Sequence, residues 1–145
     1  TRPVAAGGEN HEEIDAANFV RLQDQGAFAL AWQANGLHYG VRHAELSSLK
    51  QKHWVLVNGS RGHLQLAQQS HPGLQVVHIT AAPETLMQRL TARQRETPEE
   101  IKQRIRRATA FTVAEGTIEI HNNGTLAQAG EALLNALEKL EGWPG

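Results

Sequence analysis

Six arginines and one lysine fall within the single segment RLTARQRETPEEIKQRIRR, residues 89–107, of a chain whose formal net charge is −1. They are Arg89, Arg93, Arg95, Arg104, Arg106 and Arg107, with Lys102 among them. Each guanidinium is a rigid fork of donors that fits phosphate oxygens. Local concentration without general basicity points to a small phosphorylated ligand. A long nucleic acid would need a wider basic surface and an aromatic platform, and neither is visible. Helical spacing sharpens the point. Arg89 and Arg93 are neighbours on one face, and Arg104 and Arg107 flank the apolar positions Ile101 and Ile105. Joined through the short link Gln94-Arg95-Glu96, the two helices could bring guanidiniums to a phosphoryl group in flight, whose charge lies on its equatorial oxygens. The plain alternative is a solvated helical hairpin balanced by Glu96, Glu99 and Glu100.

A second candidate lies at Asn58-Gly59-Ser60-Arg61-Gly62, directly after the apolar run Trp54–Val57. Open α/β sheets bind ligands beyond the carboxyl ends of their strands, so Asn58, Ser60 and Arg61 are candidate contacts. An ordinary glycine-rich turn is the competing reading. Tyr39, beside Gly40, offers a hydroxyl to phosphate or serves packing alone. The eight histidines form no HExxH and no compact ligand set. His78, inside an apolar run, reads as a core histidine, and no metal ligands are assigned.

The elements that must position these groups follow from pattern. Ile14–Gln25 suits a short helix ended by Gly26. Ala27–Gln33 and Leu37–Val41 read as a hairpin about the turn Asn35-Gly36. Trp54–Val57 and Val76–Ile79 are continuous apolar runs, expected as buried parallel strands. His63–Gln69 suits a helix. Pro83 opens another, with Leu86, Met87 and Leu90 as its packing stripe. Thr97-Pro98-Glu99-Glu100 is a capping box with proline at the first helical position, and Ile101, Ile105 and Ala108 share the face that follows. Thr117–Ile120 reads as a strand. Thr125–Gln128 repeats the capping pattern before a closing helix packed through Ala129, Leu133, Leu137 and Leu140. Strands alternating with helices predict an α/β fold with a parallel sheet.

A chain of 145 residues with 40% hydrophobic and 20% charged content has the composition of one ordinary globular domain. It has no cysteine, which removes disulfides, thiolate catalysis and cysteine metal sites and fits a cytoplasmic location. No apolar run is long enough to span a membrane.

The ordered motifs also carry a resemblance. Thr1-Arg2-Pro3, Gly8-Glu9-Asn10, Gly26-Ala27-Phe28, Gly36-x-x-Tyr39-Gly40, Arg89-Leu90-x-x-Arg93-x-Arg95-Glu96 and Ile120-His121-Asn122-Asn123 are similar in order and spacing to the guanylate kinase family. Glu9-Asn10-His11, the run Trp32–Val41 and Leu56–Arg61 more narrowly resemble the ribose 1,5-bisphosphate phosphokinases of bacterial phosphonate breakdown. The likeness covers essentially the whole chain. It implies a P-loop, nucleoside-monophosphate-kinase-like fold with a parallel sheet, flanking helices, a small acceptor-binding subdomain over 1–45, and a core remainder over 46–145 that includes an arginine-rich lid around 89–107. It implies ATP with Mg2+, a sugar phosphate as the other small-molecule partner, neither nucleic acid nor membrane, and it leaves a homodimer open.

Residue by residue, the resemblance places Arg2 and Tyr39 on the acceptor phosphate, and Glu9, Asn58, Ser60 and Arg61 around the acceptor. It places Arg93, Arg95 and Arg104 on the transferred and donor phosphates as catalytic groups, and Arg89, Asn122 and Asn123 beside ATP. Guanylate kinases carry further carboxylates at the end of the central strand, where Val57-Asn58-Gly59-Ser60 stands here. Guanine needs such acceptors for its N–H donors, so a sugar acceptor is expected rather than GMP. A nucleoside-monophosphate kinase and a non-catalytic binding module are the alternatives. The family's phosphate loop, G-x-x-x-x-G-K-[ST], has no counterpart among these residues. The chain is therefore expected to be inactive alone, lacking an N-terminal loop that its parent enzyme supplies.

Overall fold

The computed structural model describes residues 1–3 and 10–144 of the chain. Two compact units share it, Thr1–Leu74 and Gln75–Trp143. In the first, α1 (Ala16–Asp24) begins at Asp15, whose carboxylate accepts from the Asn18 N–H at 2.8 Å. β1 (Phe28–Ala34) and β2 (Leu37–Arg42) form the expected antiparallel hairpin. Asn35 (φ 51) and Gly36 (φ 75) both adopt positive φ, the geometry of a two-residue turn that matches strand twist. A 3-10 stretch over His43–Gln51 and a shorter one over Arg61–His63 lead to α2 (Leu64–Ser70). Phe19 is 2% exposed and stacks on Phe28 with ring centroids 4.7 Å apart, making the apolar centre of this unit.

The second unit is a strand–helix–helix–strand crossover closed by a helix. β3 (Val77–Thr80) pairs in parallel with β4 (Ile118–His121), Val77 facing Ile118 and Thr80 facing His121. Between them run α3 (Pro83–Arg93) and α4 (Pro98–Thr109), and α5 (Leu126–Leu137) follows. Both capping boxes form: Thr97 with Glu100 at the start of α4, and Thr125 with Gln128 at the start of α5. Leu90, Ile101, Ile120 and Leu137 are buried, so each helix and β4 contributes to the core. The result is the α/β class expected from the pattern.

Three expectations are corrected. Trp54–Val57 is not a strand, and Leu56 is 85% exposed. A strand needs a neighbour's N–H and C=O groups, and among the described residues no strand runs beside this segment in a sheet. β3 exists, yet Ile79 is 55% exposed rather than buried, because the described strand has only β4 beside it. In α3 Leu90 packs inward, whereas Met87, one turn back and three residues away, is 51% exposed and leaves the expected stripe. His78 is partly exposed beside Glu119, its register partner, at 3.5 Å, with the Phe111 ring 4.9 Å away.

Candidate functional site

In the first unit a cavity of about 440 Å³ is walled by the hairpin, the chain start and the Val55–Asn58 segment. The chain start is fixed there by β2. The Thr1 nitrogen donates to the His38 carbonyl at 2.7 Å, and the His38 N–H donates to the Thr1 hydroxyl at 2.9 Å. His11 closes the other side, its Nε2 lying 3.1 Å from the Arg2 carbonyl and 3.2 Å from that of Pro3. With carbonyls as acceptors, that nitrogen carries the proton. Arg2 is thereby held at the cavity wall between two pinned neighbours.

Tyr39 reaches the same cavity by a different route. It faces Trp32 across the hairpin, ring on ring at 5.6 Å and 10° from parallel, and Trp32 in turn stacks near His63. The stack fixes the phenol ring and leaves the position of its hydroxyl set by aromatic packing. Gly40 follows because nothing larger fits: a Cβ there would lie 2.6 Å from Cδ1 of Phe28.

Of the expected acceptor residues, Arg2, Tyr39 and Asn58 line this cavity, while Ser60 and Arg61 do not. Glu9, with residues 4–8, lies outside the described residues. Sequence reading missed Arg42, at the end of β2, which also lines the cavity and pairs with Glu12 at 2.8 Å. Its only sequence signal was a basic residue closing an alternating strand, and Glu12 lies thirty positions earlier.

The second unit gathers the remaining candidates into two groups. Arg89, on α3, donates from both Nη1 and Nη2, to the carbonyls of Asn122 and Gly124, each at 2.7 Å. Asn123 accepts the Ala82 N–H through Oδ1 at 2.7 Å, just before α3 begins. Asn122 donates its N–H to Thr80 at 2.7 Å, and its Oδ1 is buried without a hydrogen-bond partner. Arg89, Asn122 and Asn123 thus form one node where the loop after β4 meets α3.

The other group stands at the α3–α4 corner. α3 ends in the left-handed residue Gln94 (φ 52), which reverses the chain so that Glu96 lies between the two helices. Glu96 Oε1 accepts from Nη2 of Arg93 and from Nη1 of Arg104, the latter at 2.8 Å. Arg95 is exposed, and no contact of its side chain is seen among the described residues. Two guanidiniums drawn to one oxygen, each retaining further N–H groups, can meet a multiply charged anion.

An α/β chain with a cavity of mixed polar and apolar lining and a converged arginine pair is consistent with a phosphotransferase of the P-loop-kinase-like class. No family model matches the chain. Curated relatives do. It is 43% identical to the ribose 1,5-bisphosphate phosphokinase PhnN of Chromobacterium violaceum over 137 residues, covering 94% of this chain and 74% of that protein. It is 42% identical over 140 residues to the protein of the same name from Azotobacter vinelandii, covering 96% of this chain and 76% of the relative. With that of Agrobacterium fabrum the identity is 36% over 143 residues, 98% of this chain and 78% of the relative. The chain belongs to the ribose 1,5-bisphosphate phosphokinase family.

Proposed function

We propose that this chain binds the acceptor and carries the phosphate-directed arginines of an enzyme that phosphorylates ribose 1,5-bisphosphate with ATP. A P–O bond forms between an oxygen of the acceptor's 1-phosphate and the γ-phosphorus of ATP. The bond from that phosphorus to the β,γ-bridging oxygen breaks, leaving ADP and 5-phosphoribosyl 1-diphosphate. The observation that carries this reading is identity at 36–43% with relatives of that name over almost the whole chain.

The residues fit the parts assigned to them. Arg2 and Tyr39 supply donors to an acceptor phosphate in the cavity, and Asn58 meets a sugar hydroxyl there. GMP is a poorer fit. Guanine needs free carboxylate acceptors, and of the two carboxylates that line the cavity among the described residues, Glu12 is already engaged by Arg42, which leaves Glu45. Ser60 and Arg61 remain candidates for contacts outside this cavity, and Glu9 remains a candidate acceptor contact. Arg93 and Arg104, with Arg95 beside them, would stabilise charge on the phosphoryl group in transfer. The buried, unpartnered Oδ1 of Asn122 has acceptor capacity for an amine of the ATP base, and Arg89 and Asn123 hold the loop that bears it. Magnesium, bound with ATP, would neutralise the β- and γ-phosphates. Among the described residues no group of three acidic or histidine side chains could hold a metal, so none is assigned to it.

The 145 residues contain no G-x-x-x-x-G-K-[ST] sequence, so these residues by themselves bind without transferring phosphate. Among the described residues no helix is long and apolar enough to cross a membrane. A cytoplasmic enzyme working on small phosphorylated molecules fits that.

The test is phosphoryl transfer by the full-length gene product. Magnesium-ATP is offered with ribose 1,5-bisphosphate, ribose 5-phosphate or GMP, and products are read by phosphorus NMR. A diphosphate signal arising only with the bisphosphate is expected. Turnover of GMP would move the assignment to a nucleoside-monophosphate kinase. No turnover by a folded protein would move it to a binding module.

A further inference from the structure

The Glu96 carboxylate has a place in the structure that charge balance alone does not explain. Its side chain is 18% exposed, whereas those of Arg93 and Arg104 are 40% and 52% exposed. The acid therefore lies beneath, and the two guanidiniums lie above it, open to solvent. Both reach the same atom, Oε1, and each spends a single N–H on it. Their other donors have no protein partner among the described residues. The second oxygen, Oε2, is buried and accepts nothing.

Two cations held on one oxygen repel each other, and a buried acid between them is what makes their approach favourable. A carboxylate that served only to tie α3 to α4 would be expected to engage both oxygens, as Glu12 does where each of its oxygens meets Nη2 of Arg42. Here one oxygen is left unpartnered while one arginine from each helix is aimed through the other. What is gained is a pair of guanidiniums held on one atom with their remaining N–H groups open, able to meet oxygens of one phosphoryl group.

We propose that Glu96 is the positioning residue of the phosphoryl-transfer site, holding Arg93 and Arg104 as one preorganised pair that acts on the group in transfer. This rests on the kinase reading above. Glu96 touches no substrate and acts through the two arginines. Because preorganisation matters most where charge develops, its loss falls on the transition state and not on ground-state binding. A retained acceptor without charge leaves the arginines free to separate, so a neutral isostere is the informative change.

Glu96→Gln and Glu96→Asp are compared with the native sequence in the full-length enzyme. Three quantities are read: kcat and KM for ribose 1,5-bisphosphate, affinity for ADP with and without aluminium fluoride as a planar phosphoryl mimic, and the melting temperature. The expectation for Glu96→Gln is a fall in kcat of about ten- to a hundredfold, with KM and ADP affinity changed by less than about threefold. Aluminium fluoride should add correspondingly less affinity to that variant. Glu96→Asp, which keeps the charge on a shorter arm, should recover part of the loss.

An unchanged kcat in both variants would overturn the proposal. A gain in affinity for the ADP–aluminium fluoride complex would overturn it too, since Glu96 would then be a competitor that substrate displaces. A lowered melting temperature with native kcat would reduce Glu96 to a tie between helices. If Glu96→Gln does not fold, Glu96→Asp decides: a lowered kcat with a matching loss of aluminium fluoride affinity supports the positioning role, and native kcat, or loss of kcat with no loss of that affinity, refutes it. Failure of the kinase reading is separate, because it shows in the native enzyme as absent transfer to the bisphosphate whatever the variants do.

Discussion

Substituting Gly40 tests whether the acceptor cavity is shaped by the packing described for it. Gly40 faces Ala31 in the hairpin, and a methyl group there would lie 2.6 Å from Cδ1 and 2.7 Å from Cε1 of Phe28. Ordinary contact begins near 3.4 Å, so the ring must retreat by the better part of an ångström. It has little room to do so, because Phe19, 2% exposed, lies against it at 4.7 Å. Overpacking of this kind costs about 1–3 kcal/mol. In a chain of about 150 residues each kcal/mol lowers the melting midpoint by about 2–4 °C. Gly40→Ala should therefore melt at least about 2 °C below the native protein, read by tryptophan fluorescence, with Trp32 as the local reporter. Its KM for the bisphosphate should rise as Tyr39 shifts with the strand. Phe28→Leu trims the ring that the methyl strikes, so adding it should recover part of the loss, with a coupling of about 0.5–3 kcal/mol between the two sites. A native melting temperature for Gly40→Ala, or strict additivity with Phe28→Leu, would refute the packing account.

Tyr39→Phe keeps the ring on Trp32 and removes only the hydroxyl. Melting should be unchanged, and KM for the acceptor should rise about tenfold or more, the loss of a hydrogen bond to a charged group; a lowered melting temperature with native KM would make the hydroxyl structural. Glu100 offers a pH test. The Thr97 N–H and hydroxyl, donating to its carboxylate, hold that group below its ordinary value of 4.5. A depressed folded-state value stabilises above the unfolded pKa, and that stabilisation disappears as pH falls through the folded one. The melting temperature should therefore drop from about pH 6 to about pH 3, and Glu100→Gln should flatten part of that drop. An identical pH profile in the variant would show that the capping box contributes nothing.

What the sequence made legible is what local chemistry decides. Asn35-Gly36 demands a turn with positive φ, and the hairpin follows around it. Thr97 and Thr125 each stand three residues before a side chain able to return the bond, and both boxes form. The parallel pairing of β3 and β4 follows from two apolar runs separated by helices. Trp54–Val57 shows the limit. An apolar run states a need for cover but not which strand supplies it, and with no partner strand among the described residues the run has no strand geometry. The 3-10 stretch His43–Gln51 shows no helical period and was not anticipated, since its polar and apolar residues follow no 3.6-residue face.

The arginines mark the same limit within the site. Their type and spacing announced phosphate chemistry, but six similar side chains cannot be ranked from a one-dimensional pattern. Their partners separate them. Arg89 is spent on two carbonyls and acts as masonry for the loop after β4. Arg107 reaches back to the Gln103 carbonyl on its own helix. Arg93 and Arg104 share one carboxylate oxygen and keep their remaining donors exposed. The acid that makes this distinction belongs to the very link that a charge count treats as a counterweight. Glu96 balances the cluster in the sequence, and in the fold it aims it.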